Sequence, residues 1–314
     1  MTSANFPVPI ALLDQNLLEE LLRDKRSPNT RRTYAKGLRD FFVTMTQDEP
    51  SPERIAWFLT LGRFDAIALL LRYRAGLLER GLTPATVNVR LSAVKSLVNY
   101  ARKVGKCDYT LEDVESLQVE TYRDTSGVSP DGFKRIAEQV KRDSLKGKRD
   151  LAILRLLWDN ALRRAEISSL DLEDYSPREM KLWIKGKGRL SKESIRLSVK
   201  AITFINDWLL VIGDRAPDKP LFCTVDRATF GHRLSGNAIY NIVRDTAQAA
   251  GISKIISPHR IRHSAITAAL DATNGDARKV QKLSRHRNLN TLMIYDDNRH
   301  QHQAEVTSLL ADLV

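Results

Sequence analysis

The run Ser257-Pro258-His259-Arg260-Ile261-Arg262-His263 places a proline at a helix start, with His259 and Arg262 three residues apart on one face of the first turn. Backbone amides at such a helix start already favour an anion. His286 follows, and nine residues beyond it stands Tyr295. Upstream, an apolar helix through Leu154 to Asn160 enters a short turn carrying Arg163, with Glu166 three residues later. Guanidiniums bind anionic oxygens through planar paired donors, histidine exchanges protons near neutrality, and a tyrosine oxygen can form a covalent intermediate. Taken singly these residues are ordinary: Arg163 reads as a solvated helix residue and Tyr295 as a core or surface tyrosine. His259 and His263 share a helix face as metal ligands do. Their run lacks the glutamate of H-E-x-x-H and a third ligand at a telling spacing, so His263 is expected as a structural neighbour.

The rest of the chain supplies a suitable field. Fifty Lys and Arg against 38 Asp and Glu leave a net charge of +12, and a surplus of this size favours a polyanion such as nucleic acid. A hydrophobic fraction of 42% with 15 Gly and 11 Pro excludes collagenous, low-complexity and wholly disordered readings. At 314 residues the chain is about twice the length of one typical domain. Apolar runs such as 67–71 fall far short of the ~18 residues of a membrane span. The start Met1-Thr2-Ser3-Ala4-Asn5 has no basic leader segment, so a soluble, unexported, cytoplasmic protein is expected. Cys107 and Cys223 make neither a disulfide framework nor a zinc site and read as ordinary thiols.

Stretches 10–102 follow a helical period. One helix starts at Ser27-Pro28-Asn29-Thr30, with Arg31, Arg32, Lys36 and Arg39 on a face apart from Tyr34, Leu38, Phe41 and Phe42. Another covers 66–80 and stops at Gly81, and a further one starts at Thr83-Pro84 with Asn88, Arg90 and Lys95 interleaved among apolar positions. No convincing strand precedes Gly105, so residues 1–107 are predicted to be a compact helical domain. Turn formers cluster in Arg123 to Pro130, and residues 108–127 are predicted as the linker to a second domain, 128–314. Helices are expected there at 132–139, 148–161, 200–211, 235–250, 258–272, 277–283, 290–296 and 304–313. Between them, 181–188 and 194–199 read as two strands around a basic, glycine-containing turn. The fold class is mainly α with one small β-hairpin.

Arginine in a helix turn, Lys187 in Gly186-Lys187-Gly188, His259-x-x-Arg262, His286 and then Tyr295 together resemble the ordered pattern of the tyrosine recombinases, or phage-type integrases. The resemblance covers essentially the whole chain. It implies a core-binding domain followed by a catalytic domain, closing as a C-shaped clamp on duplex DNA. Asn160-Ala161-Leu162-Arg163 stands where the family usually has Thr-Gly-Leu-Arg, and Leu283-Ser284-Arg285-His286-Arg287 where it commonly has Leu-Gly-His. Tyr295 is then the nucleophile, attacking phosphorus and displacing a 5′-hydroxyl. Arg163 and Arg262 bind the non-bridging oxygens, Lys187 protonates the leaving oxygen, His259 accepts the tyrosine proton or binds phosphate, and His286 adds a hydrogen bond. Glu166 is implied to support the arginine turn. Arginines replace the cations of metal-dependent phosphoryl transfer, so neither metal nor cofactor is expected.

The resemblance further implies double-stranded DNA with inverted-repeat half-sites as partner, strand exchange through a Holliday junction, and a homotetramer on two sites joined by the C-terminal helix. Asn29, Thr30, Arg31, Arg32, Lys36, Asn88, Arg90, Lys185 and Arg189 are expected DNA contacts. Around the hairpin, Lys185, Arg189, Lys192 and Arg196 also fit a solvated charge run. With core-binding helices beginning almost at Met1, a Xer-like enzyme without an arm-binding domain is favoured. Two rivals remain at this point: a type IB topoisomerase sharing the chemistry, and a catalytically silent DNA-binding protein.

Overall fold

The computed structural model describes residues 16–119, 127–186, 189, 191–213, 215–286, 288–290, 292, 307 and 310–312. The chain divides into two compact units, Met1–Thr121 and Tyr122–Val314.

In the first unit, five helices follow one another: α1 (Leu17–Asp24), α2 (Pro28–Thr46), α3 (Pro52–Leu59), α4 (Arg63–Glu79) and α5 (Pro84–Lys103). Proline opens α2, α3 and α5, where its missing N–H lies outside the helical hydrogen-bond ladder. Ser51 and Thr83 accept hydrogen bonds from Arg54 N and Thr86 N at the starts of α3 and α5. Phe41 packs edge to face with Phe42, Phe58 and Tyr73 at centroid distances of 5.0–5.2 Å. Glycine at position 37 lets α2 approach α5, because an added Cβ there would lie 3.1 Å from the Ala93 Cβ. Residues 108–119, expected as the start of the linker, belong to this unit. Tyr109, Leu111 and Val114 are buried in its core, and the Tyr109 hydroxyl donates to the Phe58 carbonyl at 2.6 Å.

The second unit runs α6 (Pro130–Glu138), α7 (Leu145–Asp159), α8 (Arg164–Ser168), β1 (Tyr175–Ser176), β2 (Lys181–Ile184), β3 (Glu193–Arg196), α9 (Val199–Ile212), α10 (Gly236–Ala249), α11 (Pro258–Ala272) and α12 (Ala277–Ser284). Its sheet is antiparallel in the order β1-β2-β3, with Lys181 opposite Arg196 and Ile184 opposite Glu193. Leu182 and Ile184 are buried while Trp183 between them is exposed, the alternation of a sheet with one covered face. Helix α7 is buried along most of its length and packs against α9 and α11. Trp208 of α9 fills the core and donates its indole N–H to the Leu221 carbonyl at 2.8 Å.

Both strands are shorter than the sequence predicts. After Arg196 the chain turns, and Ser198 caps α9 by accepting from Ala201 N at 3.0 Å. Strand β1 was not expected, since two residues carry no readable alternation. Helix α3 was not expected either, and α4 begins three residues earlier than position 66. Apart from isolated residues, the helices expected over 290–296 and 304–313 lie outside the described residues. No helix among the described residues is long and apolar enough to cross a membrane.

Candidate active site

Arg163 occupies the position just before α8. Glu166, one turn on, accepts its main-chain N–H through Oε2 and its guanidinium Nη1 through Oε1, each at 2.8 Å. The preceding turn is anchored at Asn160, whose amide donates to the Arg196 carbonyl of β3 at 2.8 Å. Arg163 thus rests on a carboxylate that is itself 2% exposed, while its own side chain keeps 28% of its surface open to solvent.

Helix α11 brings the next two groups. Ser257 caps it by accepting from Arg260 N at 3.2 Å. His259 is exposed on the first turn and packs edge-on against the buried His263, with ring centroids 4.1 Å apart. Arg262 lies on the inner side, 1% exposed. One of its terminal nitrogens donates to the Ala161 carbonyl and the other to the Ser284 carbonyl. That second nitrogen also stands 3.5 Å from His286 Nε2. Arg262 therefore ties the Arg163 turn to the end of α12 and places the His286 ring beside itself.

His286 follows α12, and its carbonyl accepts from the Gln281 amide at 3.0 Å. Burial lowers its pKa, with the Arg262, Arg163 and Arg285 guanidiniums adding to the effect, from the ordinary 6.5 to about 4. The imidazole is consequently neutral at pH 7, able to donate one hydrogen bond without adding a charge. Arg163, Ala165, Tyr240, Ser257, Pro258 and His259 line an open depression of about 420 Å³. An anion-sized ligand there meets a partly exposed guanidinium, an imidazole and the start of α11.

Four of the six expected catalytic positions, Arg163, His259, Arg262 and His286, are thereby gathered in the second unit. Lys187 and Tyr295 lie outside the described residues.

The phage integrase family matches residues 128–302, and the N-terminal SAM-like domain of phage integrases matches 15–105. The chain belongs to the phage integrase family of tyrosine recombinases. Tyrosine recombinase slr0733 of Synechocystis sp. is 70% identical to this recombinase over 98% of each chain. A XerC tyrosine recombinase of Shewanella amazonensis is 32% identical over 78% of this chain and 80% of its own. Among solved structures, XerH site-specific recombinase bound to palindromic difH substrate aligns with a TM-score of 0.69 at 20% identity, covering 94% of this chain and 84% of that one. A lambda integrase dimer bound to a COC′ core site aligns with a TM-score of 0.63 at 12% identity, covering 88% and 95%. These two structures bear on the fold.

Among the expected DNA contacts of the recombinase, Asn29, Arg31, Arg32 and Lys36 are exposed along the first half of α2, with Thr30 half-buried. Arg31 donates to the carbonyls of Lys25 and Arg23. Asn88 and Arg90 have intramolecular partners. The Asn88 amide exchanges two 2.8 Å bonds with the Leu117 backbone, and Arg90 pairs with Asp40, which also takes Arg80 and the Tyr73 hydroxyl. Reaching a phosphate requires either residue to exchange these partners. Lys185 is exposed beside the hairpin turn, and Arg189 pairs with Glu193.

Both departures from the family's usual text fall on left-handed backbone. Ala161 has φ 46° and Arg285 φ 57°, at the two places where the resemblance leads one to expect glycine. A side chain in this region costs about 1–2 kcal/mol relative to glycine. The residue at 285 is a buried arginine, which the sequence pattern alone does not reveal. The one hint is that a charged residue at a glycine position next to His286 needs a partner.

Proposed function

We propose that this recombinase cuts and rejoins double-stranded DNA through a covalent 3′-phosphotyrosyl intermediate. The Tyr295 oxygen forms a bond to the scissile phosphorus as the bond from phosphorus to the 5′-oxygen breaks. The tyrosine proton passes to His259, and Lys187 supplies the proton taken by the departing 5′-oxygen. Arg163 and Arg262 hold the non-bridging oxygens, whose charge grows in the five-coordinate transition state, and neutral His286 adds a donor. Reversal of the same step by another strand's 5′-hydroxyl rejoins the backbone, so exchange proceeds through a Holliday junction without ATP.

The observation that carries this reading is the convergence of Arg163, Arg262, His259 and His286 from three separate helices and their flanks. Relatives solved on DNA, one of them a lambda integrase tetramer on a Holliday junction, support the same assignment for this chain. On this reading the target carries inverted-repeat half-sites. Both units contact the duplex, with Asn29, Thr30, Arg31, Arg32, Lys36, Lys185 and Arg189 toward phosphates. Four copies act on two sites, linked through the C-terminal helix.

A nicked duplex from which the cut product cannot religate tests the chemistry. Covalent complexes isolated under denaturing conditions should map by peptide mass to Tyr295 and vanish in Tyr295→Phe while DNA affinity is kept. Attachment at another residue, or undiminished attachment in that variant, overturns the mechanism.

A further inference from the structure

Arg285 closes α12 in the left-handed conformation with a side chain that is 8% exposed. Nη1 donates to the carbonyls of Leu283 at 2.8 Å and Asn160 at 3.2 Å. Nη2 donates to Glu166 Oε2 at 3.0 Å and to the Ala161 carbonyl at 3.4 Å. Burying a guanidinium and holding its backbone at positive φ are both unfavourable, and glycine avoids both. Glycine cannot supply the second cation on Glu166.

That cation matters because Glu166 is the carboxylate on which Arg163 rests. With Arg163 alone, one anion faces one cation and the pair is electrically neutral. With Arg285 on the other oxygen at 3.0 Å, the Glu166 carboxylate is shared by two guanidiniums and no longer cancels the charge of Arg163 alone, while Glu193 stands farther off, 4.0 Å from Arg285 Nε. The same side chain bonds the turn at 160–161, so it also restrains the backbone that aims Arg163.

We propose that Arg285 is a positioning residue of the cleavage reaction, fixing the Arg163 turn and neutralising Glu166 so that Arg163 presents its full charge to the scissile phosphate. This rests on the reading of Arg163 as a phosphate-binding residue. The role belongs to this chain's Arg285 and is additional to the six expected catalytic positions.

Single-turnover cleavage at saturating suicide duplex, measured beside DNA affinity, tests it. Arg285→Gly should cleave about 10- to 100-fold more slowly, the scale of lost outer-shell partners, while affinity changes little. Adding Glu166→Gln to Arg285→Gly should recover part of that rate, because removing the carboxylate charge restores the positive balance. A purely structural role predicts that the second substitution worsens the first. Arg285→Gly cleaving within about twofold of the parent, or a double variant slower than the single one, overturns the proposal. Should Arg285→Gly melt below the assay temperature, Arg285→Gln, which keeps donors for the turn and drops the charge, is read in its place by the same criteria.

A readout without DNA separates this inference from the mechanism it rests on. In the free protein, slowed exchange of the Arg163 guanidinium N–H resonances should be lost in Arg285→Gly, and unchanged resonances overturn the positioning role. If the parent forms no covalent complex at all, it is the mechanism that fails, and the resonances still decide the role of Arg285.

Discussion

Arg163 and Glu166 bind each other at two points, main chain to Oε2 and guanidinium to Oε1, each at 2.8 Å. The carboxylate thus serves both as the helix cap of α8 and as the rest for the Arg163 guanidinium. Fixing φ and ψ at Arg163 and fixing its guanidinium are one event, so the donor is oriented before any phosphate arrives.

The two arginines should respond differently to lysine. Arg163→Lys keeps a charge at a partly exposed position and should slow cleavage about 10²-fold with little change in stability. Arg262→Lys also strips a donor from the buried Ala161 or Ser284 carbonyl, and should cost a further ~1–3 kcal/mol of folding stability. Thermal unfolding alongside covalent-complex assays checks both. Equal melting temperatures for the two variants contradict the buried double anchor of Arg262.

Ala161→Gly should raise stability by up to about 1 kcal/mol, because the left-handed backbone at φ 46° loses its Cβ penalty. Gly also widens the unfolded ensemble, which trims the gain. A melting temperature below that of the parent would show that strain at this position is outweighed by the packing of the buried Ala161 methyl and the unfolded-state entropy of glycine.

Near the start of the second unit, Gly127→Ala should destabilise. An added Cβ would sit 1.9 Å from Ser264 Oγ and 2.8 Å from the Arg260 carbonyl. Ser264 Oγ accepts from Val128 N and donates to Arg260 O, each at 2.8 Å, so this hydroxyl cannot move without breaking a bond. A loss of about 1–3 kcal/mol, typical of overpacking, is measurable by denaturant titration. An unchanged midpoint would count against this close approach.

His286 should confer a pH dependence of known sign. Its folded pKa near 4 lies below the ordinary 6.5, so the unfolded chain takes up the proton first as pH falls. Stability is therefore lost between about pH 6.5 and pH 4, and this contribution should disappear in His286→Asn. Comparing melting temperatures at neutral and mildly acidic pH for both proteins reads the difference. An NMR titration that places the His286 pKa at or above 6.5 would refute the burial argument.

Much of this arrangement was legible in the residues. Helix starts at Pro28, Pro84 and Pro258 announced themselves through proline and a small polar neighbour, and the order Arg163, His259, Arg262, His286 carried the site. Other features depend on partners far along the chain. The pairing of Arg90 with Asp40, and of Asn88 with the backbone of Leu117, leaves no local trace. Segment 108–119 spaces its apolar residues Tyr109, Leu111, Val114, Leu117 and Val119 at neither the helix nor the strand period, yet Tyr109 and Val114 settle into a core built by other helices. The burial of Arg285 contradicts the usual preference of a charged side chain for solvent, and its bonds to Glu166 and to the carbonyls of Asn160, Ala161 and Leu283 account for it.

The acceptors of Arg262 have a consequence in time. One lies at residue 161 and the other at residue 284, so during synthesis Arg262 leaves the ribosome before its second anchor has been made. Any product that stops short of Ser284, whether from interrupted translation or from proteolysis, lacks the contact that seats this guanidinium. The tie between α11 and the end of α12 therefore forms late, and only in a nearly complete chain.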